Sequence, residues 1–249
     1  MFHAISSNDE LIKADSHYAI CKSSFKEILH SLTSDNITVS SLAALDKVLS
    51  DDDRYCVFTF DDGHISNYTH AFPVLCEYGS SADFFINTAY VGTEGYMNWS
   101  QLAEMHSSGM SIQSHGHHHY YFDELDESSI EYELRQSKTL IEEHLGSEVT
   151  IFAPPGGRIT PQVKNIALEI GYTSISTSRP GIWRHSTNLN DIPRMPVLQS
   201  TTAELMYAWA SGDLSKINRV RAKYHITKIG KTLLGNTLYD KLRARVLDN

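Results

Sequence analysis

Between residues 55 and 177 the chain alternates short β-branched or aromatic runs with stretches of helical periodicity. This alternation limits the fold more than any other property of the sequence. Tyr55 to Phe60 reads as a buried strand that ends in Asp61-Asp62-Gly63. His70 to Tyr78 reads as a helix stopped by Gly79, and Ala82 to Asn87 as the next strand. Ser100 to Ser107 reads as a helix ended by Gly109, and Ser111 to Ser114 as a strand edge that runs into a histidine cluster. Ser128 to Leu145 is a long amphipathic helix ended by Gly146, followed by a strand at Thr150 to Ala153. Thr160-Pro161 caps a helix that runs to Ile170, Gly171 ends it, and Thr173 to Thr177 is a further strand. Strands and helices in strict succession imply an α/β fold with a parallel sheet covered by helices. In a parallel barrel the residues just past the strand ends gather at one face, where sites are built.

A chain of 249 residues suits one such domain. With 41% apolar and 20% charged residues, disorder and low-complexity readings are excluded. The three cysteines, Cys21, Cys56 and Cys76, form no Cys-x-x-Cys, which argues against a disulfide scaffold and a thiolate zinc site. No run approaches the ~18 apolar residues of a membrane span. Met1 to Asp15 lacks the features of a signal peptide, so a cytoplasmic location is expected. The net charge of −9 is uneven: residues 216–245 hold nine Lys or Arg and one acid, so the rest of the chain is strongly acidic. An acidic body argues against nucleic acid as a partner.

Three clusters carry chemistry. In Thr59-Phe60-Asp61-Asp62-Gly63, adjacent carboxylates at a strand end can point to different sides of a loop, one toward a cation and one free as a base. The same Asp-Asp-Gly is also ordinary turn chemistry. In Ser114-His115-Gly116-His117-His118-His119, His115 and His119 are four apart and share a face if the segment forms a helical turn. Two imidazoles at that spacing suit a divalent transition metal. A carboxylate with two imidazoles serves hydrolytic zinc or non-haem iron, and a free carboxylate beside the set favours hydrolysis. In Phe152-Ala153-Pro154-Pro155-Gly156-Gly157-Arg158, prolines stiffen a loop whose glycines admit close approach of a substrate, and the Gly156 N–H is placed to donate to an oxyanion.

In this order and spacing the clusters resemble the polysaccharide deacetylase family, carbohydrate esterase family 4, with its nodulation-type deacetylase domain. The first family motif, Thr-Phe-Asp-Asp-Gly, is matched in full by Thr59 to Gly63. The second is matched by His115, His119 and Phe122, with Gly116 at its small-residue position. The third, Arg-x-Pro-aromatic-Gly, is matched at Pro155 and Gly157, with Ala153 in place of the Arg and Gly156 in place of the aromatic. Phe2-His3, Ala82-Asp83-Phe84-Phe85 and Met97-Asn98-Trp99 also look like the family. The resemblance implies a distorted (β/α)7 barrel and hydrolysis of an N-acetyl, less often O-acetyl, group on a sugar. It implies Asp61 as catalytic base, Asp62, His115 and His119 as ligands of zinc (or cobalt or nickel), and Gly156 as oxyanion donor. Pro155, Gly157, Trp183 and Arg194 are the expected substrate contacts.

Two departures stand out. The family's late Leu-x-His, which supplies the acid, corresponds here to Met195 to Ser200, with no histidine; His185 is the expected substitute, and Asp61 returning its own proton is the alternative. Ala153 leaves Asp61 without the family's arginine, a role open to Arg194 or Arg158. Residues 1–212 are thus expected to form the barrel, and 213–249 a basic amphipathic helical extension. Its leucines either pack on the barrel or face an anionic membrane. The resulting expectation is a metal-dependent deacetylase of a sugar or glycan intermediate of surface-polysaccharide biosynthesis, with a lipid-linked substrate as one form. A metal-dependent amidohydrolase of a small non-sugar amide and a catalytically silent carbohydrate-binding homologue are the alternatives.

Overall fold

The computed structural model describes residues 1–7, 17–45, 54–184 and 187–234. Its strands are β1 (Ala4–Ser6), β2 (Ala19–Cys21), β3 (Ile37–Ser40), β4 (Arg54–Val57), β5 (Thr59–Phe60), β6 (Asp83–Ile86), β7 (Ser111–Ser114), β8 (Ile151–Phe152) and β9 (Ser174–Ile175). The helices are α1 (Lys22–Ser34), α2 (Leu42–Leu45), α3 (Phe72–Glu77), α4 (Trp99–Ser107), α5 (Glu127–Leu145), α6 (Pro161–Ile170), α7 (Ala203–Ala210) and α8 (Leu214–Leu234). All strand pairings between these elements are parallel, with β5-β6-β7-β8-β9 in sequence order and β1-β2 and β3-β4 as separate pairs.

The expected strand at 55–60 is split, because Phe58 leaves one partner for the next. Its N–H bonds Ser40 and its carbonyl receives Asp83. Ser111 to Ser114, read as a strand edge, is instead the middle of the five-stranded sheet and is buried throughout. Beyond β9 the ring is closed by irregular segments. Ser176 bridges Ile192, Val197 N–H donates to the Met1 carbonyl, and Phe2 bridges Phe60. The sheet is therefore a curled parallel half-barrel completed by loops, the distorted barrel expected from the sequence.

Every residue of β6 is buried, as a parallel strand covered on both faces requires. Phe84 packs outward with Phe60, at 4.8 Å between stacked rings, in the large core beneath the helices. Phe85 packs inward with Leu42, Leu45, Ile151, Ala153 and Ile192. The helix signals act where the sequence places them. Asp126 and Thr160 accept the N–H groups of Ser129 and Val163, and Gly146 and Gly171 end α5 and α6 at φ 64° and 104°. The helix expected from His70 begins with a wide turn at Asn67–Ala71, and α3 follows. Pro73 has no N–H to continue a regular ladder there.

The turn at Gly212-Asp213 separates α7 from α8, yet Ile217 on α8 is fully buried in the main core. Farther along, Ile226 is 71% exposed. The part of the expected basic helical extension after residue 234, with its leucines, lies outside the described residues. Among the described residues no helix is long and apolar enough to cross a membrane.

Candidate active site

Three strand ends converge as the alternation requires. β5 delivers Asp61 and Asp62, β7 delivers His115, and β8 delivers Ala153. Asp62 Oδ1 lies 3.2 Å from His115 Nε2 and 3.3 Å from His119 Nε2. The three donor atoms fall within 4.8 Å of one another. His115 is buried and its Nδ1 donates to the Ala153 carbonyl at 2.6 Å. This bond fixes the tautomer and leaves Nε2 as a lone-pair donor aimed at Asp62 and His119. One carboxylate and two imidazoles held this way fit a divalent transition metal.

The histidine segment is a bent loop, not the helical turn expected from its spacing. Gly116 takes φ 80°, and a Cβ there would meet the Phe122 ring at 3.2 Å. Of the three described non-glycine residues at positive φ, two are Asp62 at 75° and His119 at 60°. Such backbone costs of order 1–3 kcal/mol per residue and persists where the surroundings enforce it. Glu133 on α5 is one enforcer. Its Oε2 accepts the His117 and His118 N–H groups at 2.9 and 2.7 Å, and its Oε1 accepts His118 Nδ1 at 2.6 Å. Asn87 adds a bond to the His115 carbonyl, and Thr88 hydrogen-bonds His117 Nδ1.

Asp61 is buried and faces Arg194, whose Nη1 and Nη2 donate to its two oxygens at 2.6 and 2.9 Å. Arg194 is itself fixed by Thr59 Oγ1 and the Thr177 carbonyl. It therefore supplies the guanidinium that Ala153 cannot, from a segment far along the chain. It was expected among the substrate contacts, but its fork is spent on Asp61. Arg158, the other candidate, pairs instead with Asp123 and Glu124. Burial pushes the Asp61 carboxyl up, but Arg194, His115 and His3 outweigh it and hold it below its ordinary value. Burial likewise opposes Asp62, which the two histidines hold well below the carboxylate range. For His119, burial lowers the pKa, and Asp62 raises it further, to a net increase.

In the loop after Ala153, Gly156 is exposed at φ 63°, and a Cβ on it would come within 2.9 Å of the Tyr121 ring. Pro155 is buried, and the Gly157 N–H is used within the loop by the Pro154 carbonyl at 2.8 Å. Trp183 packs on the inner cluster of Phe85 and Ile151 and lines a cavity of about 590 Å3 that Arg194 also borders. His185 lies outside the described residues.

Sequence reasoning passed over Glu133 and His3 as site residues. Glu133 carried a legible signal. It occupies the stripe Ile130, Glu133, Leu134, Ser137 and Ile141 that α5 buries, where a carboxylate needs a partner. His3 lies in the field of Asp61 and Asp62, and its buried Nδ1 has no hydrogen-bond partner. Burial lowers its pKa against the pull of both carboxylates.

Comparison with known proteins agrees with this geometry. The family model for polysaccharide deacetylase matches residues 49–175, just over half the chain. Over 129 residues the chain is 32% identical to the Bacillus subtilis (strain 168) protein named "Putative polysaccharide deacetylase YxkH". That match covers 52% of this chain and 46% of YxkH, so the chain spans about half the length of this relative. The fold is shared with the Streptococcus pyogenes deacetylase PplD in complex with acetate, at TM-score 0.75 and 24% identity, over 82% of this chain and 93% of that one. It is shared too with a polysaccharide deacetylase from Bacillus cereus, at TM-score 0.74 and 24% identity, over 84% and 67%. IcaB from Ammonifex degensii aligns at TM-score 0.69 and 24% identity, over 84% and 93%. This chain belongs to the polysaccharide deacetylase family.

Proposed function

We propose that the protein is a metal-dependent deacetylase that hydrolyses N-acetyl groups on a sugar or glycan, with zinc as its ion. The observation that carries this reading is the pairing of roles in two adjacent residues. Asp62 turns to His115 and His119, while Asp61 is held apart by Arg194. A binding protein has no use for a separately held carboxylate.

When bound by Asp62, His115 and His119, a divalent cation supplies Lewis-acid polarisation of the acetyl carbonyl and acidification of water. The chain's own residues do the rest. Asp61, ionised through the neutral range, accepts the proton of the attacking water, and Arg194 holds it in position. The Gly156 N–H donates to the oxygen on which negative charge builds, a contact of roughly 3–4 kcal/mol. The departing amine must take up a proton. In the absence of a late Leu-x-His its source is His185, or Asp61 returning the proton it took.

The acidic body and basic C-terminal segment fit a cytoplasmic enzyme of surface-polysaccharide biosynthesis. Residues 216–249 would touch the inner face of the membrane and the substrate would be lipid-linked. Flotation with anionic liposomes, with and without those residues, tests that part. The activity is tested by acetate release from N-acetylated glycans after chelation and again after zinc or cobalt is restored. Asp61→Asn is expected to keep the ion and lose roughly 10²-fold or more in rate. Glycan binding without acetate release under any metal contradicts the enzyme reading.

A further inference from the structure

The metal set uses two of the four clustered histidines. His117 and His118 turn the other way, and they stand in a second constellation that the chemistry above does not employ. Among the described residues, the exposed large aromatic side chains are Tyr120, Tyr121 and Tyr132, at 52%, 41% and 53% exposure, and Tyr120 and Tyr132 meet across His118. The His118 ring lies near-parallel to Tyr120, at 5.4 Å and 23°, and to Tyr132, at 6.4 Å and 18°. Beside these rings is a shallow recess of about 250 Å3, bordered also by Leu125, Ser128 and Ser129, with buried Glu133 at its base.

We propose that this tyrosine ledge is a subsite for a second sugar of the glycan, next to the sugar whose acetyl group is cut. The inference rests on the deacetylase reading and adds where the substrate extends. A pyranose offers an apolar C–H face and an edge of hydroxyls. The ledge offers the complement, aromatic faces for the ring and the Ser128 and Ser129 hydroxyls at its border. Large aromatic side chains left in water are costly unless something covers them, and amphipathic rings suit a partner that is apolar on one side and wet on the other. The neighbouring Asp126, Glu127 and Glu131 are all exposed, which disfavours a phosphate-rich or nucleic-acid occupant.

The ledge and the candidate active site are built on one loop. His118 and the ligand His119 are adjacent, with Cα atoms about 3.8 Å apart. Tyr121, next in the chain after Tyr120, packs against the loop that presents Gly156. Its ring lies 3.7 Å from the Arg158 guanidinium and leaves no room for a Cβ at Gly156. Glu133 serves both sides, since it fixes the His118 ring and the backbone that precedes His119. The side chains are thus ordered before a ligand arrives, which lowers the entropic cost of binding.

The test measures binding separately from turnover. The full chain carrying Asp61→Asn is loaded with zinc and titrated calorimetrically with N-acetylglucosamine and with its β-1,4-linked and β-1,6-linked tetramers. The proposal expects a tetramer to bind more tightly than the single sugar. Adding Tyr132→Ala, and independently Tyr120→Ala, should shrink the tetramer-to-monomer affinity ratio about five- to tenfold, the scale of one lost aromatic contact. Leu168→Ala, an exposed apolar residue on α6, should leave the ratio alone. Tetramers that bind no better than the single sugar, or a ratio untouched by both tyrosine changes, overturn the subsite. Tyrosine-dependent tetramer binding in a protein that releases no acetate even with Asp61 intact keeps the subsite and overturns the deacetylase.

Discussion

Replacing Arg194 with methionine keeps its bulk and removes the fork that holds Asp61. With N–O distances of 2.6 and 2.9 Å, the two charge centres lie about 4 Å apart. At an effective dielectric near 20 they attract by about 4 kcal/mol. Loss of that attraction raises the pKa of the Asp61 carboxyl. In the native protein the carboxyl sits below its ordinary value. Its contribution to stability is therefore fully present above the unfolded-state pKa and lost as the pH falls through the folded one. In Arg194→Met the desolvated carboxyl has lost its main counter-charge, its folded pKa rises above the unfolded one, and stability now declines as the pH climbs. Two assays read this. The acid limb of kcat/KM for acetate release should move to higher pH. Urea unfolding should show the variant weaker by about 3–5 kcal/mol at pH 8, the range for an orphaned buried charge, and closer to the parent at pH 5. Arg194→Lys keeps the charge without the bidentate fit and should fall between. Unfolding curves whose pH dependence overlays that of the parent refute the reasoning, whatever the activity.

Three other expectations follow from the geometry. Glu133→Gln gives up a carboxylate that fastens the histidine loop at three points, and zinc affinity by chelator competition should drop roughly 10–100-fold; an unchanged affinity removes Glu133 from the site. Burial lifts the Asp83 carboxyl to about 6, so the folded state holds the extra proton and this group's contribution to stability falls as pH rises from about 4 to 6, by about 3 kcal/mol. Asp83→Asn keeps an acceptor for the Leu42 N–H and lacks that contribution, so the difference in unfolding free energy between parent and variant should change by about 3 kcal/mol across that interval. Gly116→Ala forces a side chain into φ 80° and against the Phe122 ring, and should cost about 1–3 kcal/mol in thermal unfolding while weakening the ion's hold; a neutral change shows that the loop relaxes freely.

The parallel architecture and the metal set were readable because each rests on local pattern. Strand and helix periodicities alternate, caps such as Thr160-Pro161 and Gly146 mark the ends, and the ligands lie in two short motifs. What was unreadable depends on contacts across the ring. The sequence offered Arg194 and Arg158 as partners of Asp61 without choosing between them, because 133 residues separate Arg194 from Asp61 and only ring closure through Ile192 to Val197 unites them. The four-residue spacing of His115 and His119 suggested a helical turn. The Gly116 and His119 backbones and the Glu133 anchor produce the same convergence through a bent loop. The strand at 55–60 looked continuous because every residue favours strand, and its change of partner at Phe58 is set by its neighbours.

The account is tested most directly by locating the ion. Crystals of the full chain grown with zinc, with diffraction collected on both sides of the zinc absorption edge, should show one strong anomalous peak about 2.0–2.2 Å from Asp62 Oδ1, His115 Nε2 and His119 Nε2, with Asp61 still gripped by Arg194 and outside the coordination shell. A peak elsewhere, a site without zinc at millimolar metal, or Asp61 drawn in as a ligand contradicts the division of labour between the two aspartates.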